Sequence, residues 1–228
     1  MVELRSGVHI ACHFSGEPGG QTIVLLHALG EQATSWAAVE RQFAPSYRVV
    51  NVDLRGHGGS DRPGVYSFEL MRDDVIEIFD AFDLREVVLV GHSMGGVVAY
   101  LVAQTQPARV SHLVVEDVPP PFPRTRPIPE RPDGALDFDW AVVPAIVEQV
   151  NDPTRRWWKQ LPDIASRTLL IGGGPSSHVP QELLLEVSRL IPDCTLISIP
   201  VGHNIHETEP TEFSEVILRW LDDADPVS

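Results

Sequence analysis

A mostly parallel α/β sheet with helices on both faces is the fold class this sequence predicts. Three observations predict it. Short apolar runs alternate with amphipathic segments, as in successive βαβ units. TIVLL at 22–26 and VVLVG at 87–91 are apolar without interruption, as expected of strands covered on both faces. FELMRDDVIEIFDAF places Leu70, Val75, Ile78, Phe79 and Phe82 at helical spacing, giving an apolar face that packs on a sheet.

Taken in order, this pattern predicts strands at His9–Phe14, Thr22–His27, Tyr47–Asp53, Glu86–Gly91, Val110–Asp117, Thr168–Gly172 and Thr195–Ile199. Helices are predicted between them at Thr34–Phe43, Phe68–Phe82, Ser93–Gln104, Gln181–Leu190 and Thr211–Leu221. The alternation breaks once. VPPPFPRTRPIPERP, residues 118–132, carries seven prolines in fifteen positions, which suits neither a helix interior nor a central strand. The stretch after it has room for one or two short helices, interrupted at Pro144 and Pro153. The expectation is a single domain, 1–228, with a short covering insertion at 119–167 that shapes the mouth of a site.

Bulk properties exclude several function classes. A composition of 43% hydrophobic and 21% charged residues is that of a soluble globular protein. The formal net charge of −15 argues against nucleic acid and anionic membranes as partners. MVELRSGVHI lacks the basic start and apolar core of a secretory signal, and no apolar run approaches the ~20 residues that span a bilayer. Cys12 and Cys194 are too few for a disulfide framework or a metal cluster, so a cytoplasmic setting is expected. No cofactor motif appears, and neither a cofactor nor a metal is expected.

The strongest chemical signal is VVLVGHSMGGVVAYLVA, residues 87–103. An apolar strand runs into Gly91-His92-Ser93-Met94-Gly95 and a helix pattern follows, the G-x-S-x-G arrangement of a nucleophile elbow. The serine has to sit on a sharp turn to project its hydroxyl above the strand ends. The flanking glycines let the backbone pass without Cβ clashes. The N-terminus of the following helix favours a developing oxyanion at the same point.

Together with three further motifs in order, this elbow resembles the α/β-hydrolase superfamily over nearly the whole chain outside the insertion. The motifs are IVLLHALGEQATSW (23–36), VVNVDLRGHGGSDRP (49–63) and VGHNIHETEPTEF (201–213). The resemblance implies Ser93 as nucleophile and His203 as general base, with oxyanion donors at the backbone N–H groups of Leu29 and Met94. His27-Ala28 stands where the family usually has His-Gly. His27 is expected to organise its loop, and Asp53, Arg55, His57 and Ser60 to scaffold theirs. His206, three residues beyond His203, is an alternative base.

The usual acid is missing, so either the site is degenerate or the acid comes from another strand. In most relatives it follows the strand matched by Thr168–Gly172, four residues before a proline; counting back from Pro180 reaches Ser176. The replacement candidates, Glu116 and Asp117, sit at the tip of the preceding strand, the position that some branches of the superfamily use. Strand alternation sends the two to opposite sides, and Asp117, 24 residues after Ser93, is favoured. Because the elbow holds a serine and not a carboxylate, the expected reaction is acyl transfer on a small-molecule ester or lactone. The alternatives are a C–C bond hydrolase, a cofactor-free perhydrolase and a non-catalytic ligand-binding protein. His92 and the aromatic residues Trp36, Trp140, Trp157 and Trp158 are expected to line the substrate pocket, and His178 to touch its rim.

Overall fold

The computed structural model describes residues 1–223, so the last five residues of the predicted 1–228 domain lie outside the described residues. A small antiparallel pair, β1 (Val2–Glu3) and β2 (His9–Ile10), precedes the main sheet. The chain then runs through β3 (Cys12–Gly16), β4 (Thr22–Leu26), α1 (Ala37–Phe43), β5 (Arg48–Val52), α2 (Phe68–Ala81), β6 (Val87–His92), α3 (Met94–Thr105) and β7 (Val110–Glu116). The insertion carries α4 (Val142–Asn151) and α5 (Arg156–Lys159). After it come β8 (Arg167–Gly172), α6 (Gln181–Leu190), β9 (Cys194–Ser198), α7 (Ile205–Thr208) and α8 (Pro210–Asp222). The seven strands are ordered β3-β5-β4-β6-β7-β8-β9, with β3 antiparallel to β5 and every other pairing parallel.

The period of two explains how one sheet serves two cores. Val24 and Leu26 of β4, Val87 and Leu89 of β6, and Leu113 and Val115 of β7 pack with α2 and α3. Their neighbours Ile23 and Leu25, Val88 and Val90, and Val114 face α1 and α8 instead. Both faces are thereby dry, which is why these strands read as unbroken apolar runs. The alternation also sets the site: His92 and Glu116, at the ends of β6 and β7, fall on the α1/α8 side.

Most predicted elements are found within one or two residues of their expected ends. Three differ. The predicted strand His9–Phe14 breaks at Ala11, whose N–H turns to Ser60 Oγ (2.8 Å) while its carbonyl accepts from Asp53 N–H (3.0 Å). Pro144 does not interrupt α4. It is the third helical residue, in the first turn, where an N–H has no intrahelical partner to lose. The turn α7, directly after the His203 loop, is too short to give a periodic signal and is not predicted. The proline-rich segment 118–132 has neither helix nor strand, as its composition requires. Among the described residues no helix is long and apolar enough to cross a membrane.

Candidate active site

β6 ends at His92 and α3 begins at Met94, so the whole reversal falls on Ser93, with φ +50° and ψ −112°. A positive φ is costly for a residue with a Cβ, and here close packing enforces it. A Cβ on Gly91 would lie 2.4 Å from Gly95 O, and one on Gly95 would lie 2.3 Å from Leu26 O. Neither position accepts a side chain, so strand and helix approach until the serine is the exposed apex. Its own N–H donates to Glu116 O at 3.3 Å.

The loop after β4 leaves one donor spare. His27 spans it, with Nδ1 2.7 Å from Ala28 O and Nε2 accepting from Leu54 N–H at 2.9 Å. Ala28 N–H donates to Glu31 Oε2, Gly30 N–H to His57 Nε2 and Glu31 N–H to Ala28 O. The Leu29 N–H is the one in this run left without an acceptor among the described residues, and Met94 N–H, at the first position of α3, is likewise free. Both residues line one cavity with Ser93. The 53–60 loop is a scaffold: Asp53 accepts from Ala33 and Gly59 N–H, Arg55 pairs with buried Asp74, and Ser60 Oγ donates to Asp53 O.

Asp117 meets His203. Its Oδ2 lies 2.8 Å from His203 Nδ1, and the carboxylate is buried. The loop whose usual acid slot holds Ser176 supplies three more donors: Gly173 N–H (2.7 Å), Gln181 Nε2 (2.9 Å) and the Ser177 hydroxyl. Burial pushes this carboxyl up, but His203 and the three donors outweigh it and hold the pKa below the usual carboxylate range. Asp117 itself takes a positive φ, +46°, turning the chain out of β7 toward that loop. β7 and β8 are adjacent in the sheet, so a carboxylate at the tip of β7 lies close to the loop that follows β8. Ser177 and Gln181 were not among the residues singled out in the sequence. The signal available was a loop lacking acids but rich in hydrogen-bond donors.

Glu116 forms a second pair behind the first. Fully buried, it accepts from the N–H groups of Ile205 (2.6 Å) and His206 (3.0 Å), and one of its oxygens lies 2.8 Å from His206 Nδ1. His206 is equally buried and stacks on Trp36 at 4.1 Å, so it does not reach the cavity. His92 bridges the two pairs. Its Nε2 lies 3.1 Å from His203 O, and its Nδ1 lies 3.8 Å from Glu31 Oε1. Burial lowers the pKa of His92, but Glu116 and Glu31 outweigh it and raise it, favouring an imidazolium there. Burial also acts against the Glu31 carboxylate, yet the neighbouring imidazole dominates and its pKa falls to about 2. Glu31, His92 and His206 bring ligand-type atoms within 4.8 Å of one another, the candidate cation donors among the described residues.

The cavity beside Ser93 has a volume of about 290 Å³. His92 and His178 line it, with the His178 ring 4.3 Å from that of His203. The four tryptophans do not line it. Trp36 is buried on the far side of the sheet against His206 and Phe213; Trp157 packs edge-on to Phe68 in the core. Trp140 leans on Phe138, and Trp158 donates Nε1–H to Pro121 O (2.9 Å) beside a separate groove. Large aromatic surface is worth most when buried, so here these side chains fix the insertion and the core. Phe68, Val97, Phe122, Ile146 and Val150 form the apolar wall instead.

Comparison with known proteins agrees with this architecture. The family model for the alpha/beta hydrolase fold matches residues 21–140. A putative 2-succinyl-6-hydroxy-2,4-cyclohexadiene-1-carboxylate synthase of Bacillus subtilis is 27% identical, over 96% of this chain and 97% of its own. An sn-1-specific diacylglycerol lipase of Mus musculus is 25% identical over 87% and 80%. A thioesterase domain from the curacin biosynthetic pathway superposes with a TM-score of 0.83 at 20% identity, covering 96% of this chain and 97% of that one. The chain belongs to the α/β-hydrolase family.

Proposed function

We propose that this protein is a serine hydrolase that cleaves small carboxylic esters or lactones, with Ser93 as nucleophile, His203 as base and Asp117 as the orienting acid. The observation that carries this reading is the 2.8 Å His203–Asp117 contact at the cavity that Ser93 lines from a strained turn. Relatives named as a diacylglycerol lipase and a thioesterase domain fit acyl transfer.

In this reading each group has one task. Asp117 accepts the Nδ1 proton of His203, which leaves the Nε2 lone pair as the base. That nitrogen takes the Ser93 proton as Oγ attacks the ester carbonyl. The negative charge developing on the carbonyl oxygen meets the spare N–H groups of Leu29 and Met94. His203 then returns the proton to the leaving alcohol, and an acyl-serine remains. Water repeats the sequence: His203 takes its proton as the water oxygen attacks the acyl carbon, then returns it to Ser93 Oγ as the acyl–Oγ bond breaks, releasing the carboxylic acid and the free enzyme. The test is hydrolysis of p-nitrophenyl butyrate by the wild type, Asp117→Asn and Ser93→Ala. Turnover that falls to the Ser93→Ala floor in Asp117→Asn supports the triad. Full activity in Asp117→Asn overturns it, and a wild type that neither turns over nor labels with a fluorophosphonate probe points to a ligand-binding protein.

A further inference from the structure

Two guanidinium groups stand in the wall of the Ser93 cavity without an acid to pair with. Arg124 and Arg126 belong to the proline-rich segment, and both line the cavity. Several arginines elsewhere pair with carboxylates, as in Arg5–Asp80, Arg55–Asp74 and Arg109–Asp80. The chain holds 32 acidic residues against 17 basic ones. Among the described residues, neither Arg124 nor Arg126 has an ion pair. The acid that lines the cavity, Glu31, is taken by Ala28 N–H and the neighbouring His92, and Asp117 behind it by His203 and its loop donors.

Both residues are exposed, and the backbone that carries them is held in place. Asn151, at the end of α4, accepts from Arg126 N–H through Oδ1 (2.7 Å) and donates to Arg126 O through Nδ2 (2.8 Å). Its backbone carbonyl takes Arg124 N–H at 3.3 Å. The Arg124 guanidinium lies over the Phe122 ring, 4.9 Å from its centroid, which orients the planar fork. Burial and then Arg126 lower the proton affinity of Arg124. Burial, His203 and Arg126 do the same to His178, so positive potential is concentrated at this end of the cavity.

We propose that Arg124 and Arg126 form a carboxylate-binding subsite, and that the preferred ester carries a free carboxylate away from its scissile bond. A guanidinium fork matches a carboxylate in shape and charge, and a partly desolvated cavity strengthens the contact. This inference rests on the serine-hydrolase reading for its chemistry but not for its binding.

The experiment compares kcat/KM for monoethyl adipate and 4-butyryloxybutanoate, charged on the acyl and alcohol sides respectively, with that for neutral ethyl hexanoate. One charged ester should be preferred by about tenfold at low salt, the size of one charge-assisted hydrogen bond. High salt should shrink the preference. Arg124→Ala combined with Arg126→Ala should lower kcat/KM for the charged ester several-fold more than for ethyl hexanoate. Equal losses on all three esters, or no preference in the wild type, overturn the subsite while leaving the hydrolase reading intact. If the wild type hydrolyses none of them, calorimetric titration of the Ser93→Ala protein with adipate still decides. Binding that weakens when both arginines are removed supports the subsite, and absent or unchanged binding overturns it.

Discussion

Two histidine–carboxylate pairs lie side by side in this molecule, built from consecutive acids at the end of β7 and from histidines three residues apart, His203 in the loop after β9 and His206 in α7. Asp117–His203 and Glu116–His206 share the same closest contact, 2.8 Å. They differ in what surrounds them. His203 is 17% exposed at its side chain and lines the cavity with Ser93, whereas His206 and Glu116 are fully buried against Trp36 and the backbone of α7. A hydrogen-bonded dyad is therefore not in itself a catalytic signature. Access to Ser93 and the cavity is what separates the two pairs, and the one-residue alternation of β7 places one acid on each side.

The comparison can be broken by exchanging what each pair is expected to lose. Asp117→Asn should reduce kcat on p-nitrophenyl esters by about 10⁴, since the His203 tautomer and its cation lose their support. Its folding stability should change by no more than about 2 kcal/mol, as for an ordinary point substitution. Glu116→Ala should do the reverse. It leaves His206 and two backbone N–H groups without their buried acceptor, a loss of about 3–5 kcal/mol by urea unfolding, with kcat per folded molecule little changed. A Glu116→Ala enzyme that stays stable but dead would mean that the buried pair takes part in the chemistry.

Smaller effects sharpen the contrast. Ser177→Ala removes one donor from Asp117 and should lower kcat about tenfold with KM unchanged, because the acid is held less firmly. Acid titration gives a third readout. Glu31, Glu116 and Asp117 all have folded pKa values below their ordinary ones, with Glu31 at about 2 against 4.5. Their contribution to stability is complete above the unfolded values and is lost as pH falls through the folded ones. Unfolding free energy should therefore decline between about pH 4.5 and 2, and Glu31→Gln should flatten that slope. An identical slope in wild type and Glu31→Gln would remove Glu31 from this account.

Much of the arrangement follows from local rules that the chain carries in itself. The dry strands, the helical faces, the glycines around Ser93 and the absence of an acid before Pro180 are properties of short segments. Alternation alone assigns Glu116 and Asp117 to opposite faces. Which face meets His203 is another matter, because it depends on two loops distant in sequence closing over the ends of β7 and β8. The donors Ser177 and Gln181 lie 60 and 64 residues from Asp117 and carry no pattern that links them to it. The tryptophans show the same limit from the other side. An aromatic residue is equally at home in a core or in a pocket, so composition does not say which, and the packing of the insertion decided it. The sequence by itself determined the α/β fold, the serine at its turn and the lack of an acid before Pro180, since these rest on periodicity, steric necessity between near neighbours and the identity of a short segment. Only the tertiary structure decided the partners of that acid, the burial of His206 and the exposure of Arg124 and Arg126 to the cavity, since these rest on contacts between segments far apart in the chain.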